Sequence, residues 1–368
     1  MSNGTDGILF QYNKDCQPYE IDRSYGLERV KKQNIPEDYL TTLINFEQSI
    51  LSCDEQRLLF RIWLYSIFFE SIMPTKPLLL FTGVKGSGKT FAARIIGRLL
   101  FGNKFDVNPI NDEKDFVANV CNSYLVAFDN ADSKSNWLPD HLARISTGQT
   151  ISKRKYYTTN DLEQFYPRCF LILTARTPKF KRDDVTERLI IFKLERLSDF
   201  ISESILLDRI DSNRNALLTE LFHILNDCIN NLRENKDRAQ EYNFRMADFA
   251  SFGWKVSDNK EIFLNILEKI TEEQSDFLLE DDPVLICISE WLGSNGNESK
   301  PIKAGELFHS LKNIAEENHM YFPCANVISL STKLWHLKKE LEKYFDFEIL
   351  KKKGAANEYI FTGKQHIN

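Results

Sequence analysis

The sequence has no uninterrupted apolar run long enough to cross a membrane. Its longest apolar stretch, residues 58–72, is broken by Arg61, Ser66 and Glu70, so it predicts a buried helix. The N-terminus also lacks the basic segment and long apolar run of a secretory signal. These absences predict a cytoplasmic protein that makes no membrane contact.

Cysteine and histidine are few and widely scattered. The seven cysteines form no CxxC pair and the six histidines show no HExxH spacing, so a zinc site is not expected. An odd number of separated cysteines fits reduced thiols. The composition therefore argues against a disulfide-stapled domain and against a metalloenzyme whose protein ligands hold zinc.

Positive charge is in slight deficit, since 47 basic residues stand against 53 acidic ones and the formal net charge is -6. A chain that is not basic overall can contact nucleic acid only through local patches. Apolar residues make up 42% of the sequence and charged residues 27%, which is typical of a globular protein. A length of 368 residues predicts two or three domains.

Four regions follow one another along the chain. Residues 1–75 predict a polar lead-in and helical segments, one of them capped by Asp54. Residues 76–200 alternate short apolar runs with helical patterns, which predicts a parallel sheet with helices on both faces. Residues 201–278 predict a helical lid with helices over 201–231 and 243–269. Residues 279–368 predict helices near 284–291, 303–317 and 330–344 and then a basic hairpin, the layout of a winged-helix domain.

A glycine-rich motif stands at the start of the α/β region. Residues 83–90 read GVKGSGKT directly after the apolar run LLLF, and they fit the P-loop pattern GxxxxGK[ST]. The glycines let backbone N–H groups turn toward the phosphates of ATP, Lys89 supplies positive charge, and the Thr90 hydroxyl binds Mg²⁺. The predicted ATP site comprises Gly83, Gly86, Ser87, Gly88, Lys89 and Thr90.

Polar residues at the ends of later apolar runs complete this prediction. Asp129 ends the run YLVAFD and is expected to hold magnesium with Thr90. The water-activating group is either Asn130, which can only orient water, or Asp132, which can accept a proton. Thr174, at the end of FLILT, is the candidate sensor of the γ-phosphate.

One arginine is a candidate for completing a neighbouring subunit's site. Arg188 precedes the run LIIFKLE at the rim of the predicted sheet, where it can neutralise charge in the transition state of an adjacent site. The alternative is an ordinary surface ion pair with Asp184 or Glu187.

Two further blocks carry a family resemblance. Residues 129–178, beginning DNADSK and ending LTARTP, resemble the helicase-like AAA+ ATPases of phages and mobile elements, relatives of superfamily 3 and MCM-type helicases. The block FRMADFASFGW from Phe244 is similar to their lid motif. The resemblance implies an AAA+ core, a ring that is usually a hexamer, Arg188 as arginine finger and Arg245 as the lid arginine that senses the γ-phosphate. Many relatives carry a primase region first, so a fragment of a primase-helicase is an open alternative.

Basic residues concentrate in the insertion before the run FLILT. Residues 151–182 contain eight basic and two acidic residues, and residues 149–168 alternate in the manner of a hairpin. The predicted DNA contacts are Lys153, Arg154 and Lys155, with Tyr156 stacking on bases. A second patch comprises Lys333, Lys338, Lys339 and Lys343 along a helix and Lys351, Lys352 and Lys353 on the wing.

These features together favour a ring-forming DNA helicase or translocase of a mobile element, driven by ATP and Mg²⁺ and gripping single-stranded DNA. An AAA+ initiator or helicase loader, binding duplex DNA through its winged helix without processive unwinding, is the main alternative. A scaffold that binds ATP without hydrolysing it is the third, and only Asn130 supports it.

Overall fold

The fold is known from a computed structural model. It describes residues 39–132, 135–154, 162–178, 182–198, 202–238, 240–279, 282–293, 299–338, 341–342, 345–350 and 357–363. The chain divides into two compact units, the first ending at Gln274 and the second beginning at Ser275. Among the helices described, none has the length and apolar character needed to span a membrane.

A five-stranded parallel sheet forms the centre of the first unit. Its strands are β1 (Leu78–Thr82), β2 (Asn108–Pro109), β3 (Leu125–Asp129), β6 (Phe170–Ala175) and β7 (Leu189–Lys193), in the order β2-β3-β6-β1-β7. Strands β1 and β6 are buried along their whole length, as expected for a parallel sheet covered on both faces. The predicted parallel sheet is confirmed. Strands β4 (Ile151–Arg154) and β5 (Leu162–Phe165) form a separate antiparallel pair.

Helices flank this sheet and extend beyond it along the chain. They are α1 (Tyr39–Thr42), α2 (Cys53–Ser66), a 3-10 helix (Ile67–Ile72), α3 (Lys89–Phe101), α4 (Glu113–Asn122), α5 (Leu138–Ser146), α6 (Asp183–Thr186), α7 (Glu203–Glu234), α8 (Ala247–Val256) and α9 (Lys260–Leu279). The N-cap of α2 is Ser52 and not Asp54, because Ser52 and Glu55 form a reciprocal capping box. The helix predicted over 243–269 is two helices, because Ser257 is extended and the Asn259 side chain accepts the N–H of Ile262.

A buried arginine fixes the C-terminal end of α3, the helix that begins at Lys89. Arg214 on α7 is 7% exposed, and its guanidinium donates to the carbonyl oxygens of Arg98, Leu99 and Leu100 at 3.2, 2.9 and 3.2 Å. Arg98 in turn pairs with Asp211 at 3.0 Å. The last carbonyl groups of a helix have no partner within it, and the partial negative charge of the helix C-terminus also attracts a cation. Helix α3 is therefore held at its far end by α7.

The second unit combines three helices with a small antiparallel sheet. Its elements are α10 (Pro283–Gly293), β8 (Ile302–Lys303), α11 (Ala304–Glu317), α12 (Val327–His336), β9 (Phe345–Leu350) and β10 (Glu358–Gly363), with strand order β8-β10-β9. The predicted terminal hairpin is confirmed as β9 and β10. The helix predicted to reach residue 344 is interrupted after His336, because Leu337 has a turn conformation (φ -88°, ψ 13°), and Lys338, Leu341 and Glu342 are helical again.

The Arg214 contact predicts a specific loss of stability. Arg214→Met should lower the free energy of unfolding by about 1–3 kcal/mol, because it removes the donor to the carbonyl groups of Leu99 and Leu100. Arg209→Met is the matched control, since Arg209 is exposed on the same helix. It should change the same quantity by less than about 0.5 kcal/mol. Urea denaturation of both variants measures the difference, and equal losses would contradict the role given to Arg214.

Candidate functional site

The loop between β1 and α3 has a backbone that only glycine adopts readily. Gly83, Gly86 and Gly88 have φ angles of 146°, 83° and 80°. A Cβ atom at Gly83 would also clash with the carbonyl oxygen of Leu194. The loop ends at Gly88, the N-cap of α3, so the unpaired N–H groups of the helix start face the same space. Such a turn is a concave surface for an anion.

Lys89 bends back over this loop. Its Nζ atom donates to the carbonyl oxygens of Gly83 at 2.8 Å and Val84 at 2.9 Å, and lies 3.4 Å from the Ser87 hydroxyl. Burial lowers the pKa of Lys89 from its usual value, and the nearby positive charge of Arg176 acts in the same direction. The charges of Asp132 and Asp129 oppose that shift. The ammonium group therefore sits among carbonyl oxygens, hydroxyl and carboxylates at the mouth of the loop.

Three residues predicted from separate segments meet at the carboxyl ends of the strands. The Oδ1 atom of Asp129 accepts a hydrogen bond from the Thr90 hydroxyl at 2.9 Å and another, shorter one from the Thr174 hydroxyl. Asp129 ends β3, Thr174 lies in β6 and Thr90 lies in the first turn of α3, and β6 pairs with both β1 and β3. Parallel strands bring these side chains to one edge of the sheet.

The oxygen atoms of this edge suit a hard cation. Among the described residues, no three His, Cys, Asp or Glu side chains cluster closely enough to hold a metal by themselves. Magnesium does not need such a cluster, because it is commonly held by one or two protein oxygens together with phosphate oxygens and water. A single carboxylate at Asp129 beside the Thr90 hydroxyl fits that pattern.

The two candidate water-activating residues occupy different environments. Asn130 has a left-handed backbone (φ 56°), its N–H donates to the Thr174 hydroxyl at 3.2 Å, and the residue is exposed. Asp132 accepts the N–H of Arg176 at 3.0 and 3.1 Å on its two oxygens and the N–H of Thr177 at 2.6 Å. Asp132 therefore fixes the chain that follows β6, whereas the Asn130 side chain faces solvent.

Arg188 lies at the other end of the sheet. It immediately precedes β7, its carbonyl accepts the N–H of Leu78 at the start of β1, and its side chain donates to the carbonyl oxygen of Asp184 at 2.6 Å. The residue is 8% exposed, and burial lowers the pKa of its guanidinium, as does the charge of Arg245. A five-residue strand is ~16 Å long, so Arg188 is separated by that length from the glycine loop of its own chain.

The carboxylates near Arg188 are engaged by other arginines. Arg182 forms a forked ion pair with Asp184 at 2.9 and 2.6 Å and a further one with Asp140 at 2.7 Å. Arg245 pairs with Glu187. The charges of Asp184 and Glu187 still favour the charged form of Arg188, so the alternative interpretation, an ion pair with one of them, stays a prediction. Arg245 lies with Arg188 at the amino ends of the strands and away from Lys89.

The basic window does not form one surface. Arg168 precedes β6 at its amino end, Arg176 follows β6 beside Lys89, and Arg182 is engaged in its ion pairs. The predicted hairpin is confirmed in the antiparallel pairing of Lys153 with Glu163 and Arg154 with Leu162. The predicted DNA contacts Lys155 and Tyr156 lie outside the described residues. The proximity of Arg176 to Lys89 was missed, although its position two residues after Thr174 was the available signal.

The lysines of the second unit are partly neutralised by acids. Lys333 pairs with Asp282 at 2.7 Å, and Lys338 pairs with Glu342 at 3.3 Å. The outward face of α12 carries Ile328, which is 77% exposed, and Trp335, which is 53% exposed. The helix predicted to present lysines to a DNA groove therefore presents large apolar groups as well. Lys351, Lys352 and Lys353 lie outside the described residues.

The sequence matches one family model. The model describes an actinomycete integrative conjugative element replication protein, and it covers residues 37–265. That range includes the glycine loop, Asp129, Thr174, Arg188 and Arg245. The match confirms the prediction that this is a replication protein of a mobile element. That it is a helicase-like ATPase stays a prediction. No curated protein matches the chain significantly by sequence.

Solved structures give a weaker comparison. An A-form apo structure of the NrS-1 C-terminal region is 12% identical, with 96% of this chain and 80% of that chain covered and a TM-score of 0.43. A second apo structure of that region, described as residues 305–718, is 14% identical, with 96% and 79% covered and a TM-score of 0.42. Because both TM-scores lie below 0.5, we infer nothing from these structures.

The backbone of the loop predicts an order of sensitivity to alanine. Gly88→Ala should cost about 1–2 kcal/mol of unfolding free energy, because it places a Cβ atom in a left-handed conformation with ordinary space around it. Gly83→Ala should cost more, because its Cβ atom also meets the backbone of Leu194. Thermal unfolding midpoints of the two variants without any ligand check this order. A Gly83 variant as stable as the Gly88 variant would contradict the loop geometry.

Proposed function

Because the chain belongs to the family of actinomycete integrative conjugative element replication proteins, we propose that it is a magnesium-dependent ATPase acting on DNA when such an element replicates. The observation that carries the proposal is the convergence of the glycine loop, Lys89, Thr90, Asp129 and Thr174 at one edge of a parallel sheet. This arrangement supports an AAA+ P-loop core, since each part of a phosphate and magnesium site is present there.

The glycine loop binds the phosphates of ATP in this proposal. Backbone N–H groups of the loop and of the first turn of α3 donate to phosphate oxygens. Lys89 exchanges its contacts with the carbonyl oxygens of Gly83 and Val84 for the β- and γ-phosphates, which are stronger acceptors because they are charged. Without nucleotide, the same lysine is held in place by the loop itself.

Thr90 and Asp129 would hold Mg²⁺ at this site. When bound, the ion would supply positive charge to the phosphate oxygens. The Thr174 hydroxyl, bonded to Asp129, responds to whether the γ-phosphate is present. Asn130 orients the attacking water, because three backbone hydrogen bonds already occupy the carboxylate of Asp132. An amide cannot accept the proton, so basal hydrolysis is expected to be slow.

Arg188 and Arg245 act on the nucleotide of a neighbouring subunit. They lie at the strand ends opposite the glycine loop, so neither completes the site of its own chain. Burial and the nearby charge of Arg245 disfavour the charged form of Arg188, and an anion such as the phosphates of a neighbour would stabilise it, whereas Arg245 would exchange its ion pair with Glu187 for that anion. A head-to-tail contact of this kind closes into a ring, and the family resemblance favours a hexamer.

The second unit and the β4–β5 hairpin engage DNA. The three helices and the β8-β10-β9 sheet support a winged-helix domain, and the hairpin supports a grip on single-stranded DNA in a ring channel. Ion pairing of Lys333 and Lys338 weakens the case for a helix that reads duplex DNA. A helicase or translocase is therefore favoured over an initiator or loader that depends on duplex binding.

Lys89 gives the direct test. Lys89→Ala should lower ATP hydrolysis in the presence of single-stranded DNA by about a hundredfold or more, because one positive charge at the transferred phosphate is lost. Lys85→Ala is the matched control, since Lys85 is an exposed lysine of the same loop, and it should keep most of the activity. Strand separation on a forked duplex should be lost in parallel, so full unwinding by the Lys89 variant would contradict a helicase.

Mixing two inactive variants tests the shared site. Arg188→Ala alone should reduce ATP hydrolysis about a thousandfold, like other arginines that act between subunits. In an equal mixture of the Arg188 and Lys89 variants, about one interface in four combines an intact Lys89 with an intact Arg188, because the contact is heterologous. ATP hydrolysis should therefore return to roughly a quarter of the wild-type rate. No recovery on mixing would place both residues in the site of one chain.

A further inference from the structure

Arg176 stands at the phosphate edge of the sheet. It directly follows β6, whose Thr174 bonds to Asp129, and its main chain is held by the carboxylate of Asp132. Its positive charge is close enough to Lys89 to influence that ammonium group. The residue therefore belongs spatially with the glycine loop.

Its guanidinium is positioned but not engaged. The backbone N–H groups of Arg176 and Thr177 both donate to the Asp132 carboxylate, so the main chain from which the Arg176 side chain extends is held in place. The residue is exposed, and within the described part of the chain its guanidinium has no hydrogen-bond or ion-pair partner. An unpaired arginine at the same edge of the sheet as a lysine is an arrangement that a multiply charged anion stabilises.

We propose that Arg176 is a catalytic residue that contacts the γ-phosphate of ATP bound to the glycine loop of its own chain. The proposal rests on the ATPase function proposed above, and it adds a cationic contact within the subunit to the two arginines assigned to a neighbour. A planar guanidinium can donate two parallel hydrogen bonds to phosphate oxygens, which the single ammonium of Lys89 cannot. ATP is therefore distinguished from ADP by a contact made only when the γ-phosphate is present.

Nucleotide affinities of the full chain test this assignment. Dissociation constants are measured by calorimetry with Mg²⁺ for ADP and for a non-hydrolysable ATP analogue. Arg176→Ala should weaken binding of the analogue about tenfold or more, because a charge-assisted contact is lost, and should change ADP binding less than about twofold. Arg168→Ala is the matched control, since it removes an exposed arginine from the opposite end of β6, and it should bind both nucleotides like the wild type.

Further measurements separate the outcomes. Arg176→Lys keeps the charge but not the two parallel donors of the guanidinium, so it should give an intermediate affinity for the analogue. A thermal unfolding midpoint close to that of the wild type shows that the Arg176→Ala variant is folded. Unchanged affinity for the analogue, with weaker binding of a single-stranded oligonucleotide, would assign Arg176 to DNA and overturn the proposal. If the wild type binds the analogue no better than Lys89→Ala does, the ATPase function fails instead.

Discussion

The carboxylate of Asp129 is the point on which the rest of the site depends. It accepts hydrogen bonds from the hydroxyl groups of Thr90 and Thr174, which belong to a helix and a strand far apart in sequence. Each hydroxyl loses freedom in this arrangement, so the contacts form only because the burial of β3, β6 and β1 has already aligned the strand ends. The sheet supplies the alignment, and the carboxylate converts it into a fixed set of oxygen atoms.

Parallel strands also divide the first unit into two chemically different edges. The glycine loop, Asp129 and Thr174 lie at the carboxyl ends, whereas Arg188 lies at the amino ends. A parallel sheet has this polarity in every such fold, and it separates the two sets by the length of a strand. The glycine loop and the buried Arg188 are therefore kept apart within one chain.

The sequence predicted best those elements that are determined by residues close together in the chain. The apolar runs LLLF and FLILT predicted buried parallel strands, and GVKGSGKT predicted the turn that follows β1, because both patterns reflect short-range geometry. Helix ends were less predictable. Helix α2 begins at Ser52 because Ser52 and Glu55 form reciprocal hydrogen bonds, and α9 begins after a break at which the Asn259 side chain accepts a backbone N–H. In both places a neighbouring polar residue could have formed the cap equally well. Side-chain partners across the fold were not predictable, because they depend on tertiary distances that spacing in the sequence does not contain. The Asp184 carboxylate, for example, pairs with Arg182, whereas Arg188 donates to the Asp184 main-chain carbonyl.

The hydrogen bonds of Asp132 have a consequence for how this site can be dissected genetically. Its carboxylate holds the main chain at Arg176 and Thr177, so any replacement that shortens it frees the segment after β6 as well as removing a charge near Lys89. Any effect of such a mutation would combine the loss of the carboxylate with a displacement of Arg176. Asp132 thus connects the segment after β3 to the segment after β6, and a single mutation there changes both segments.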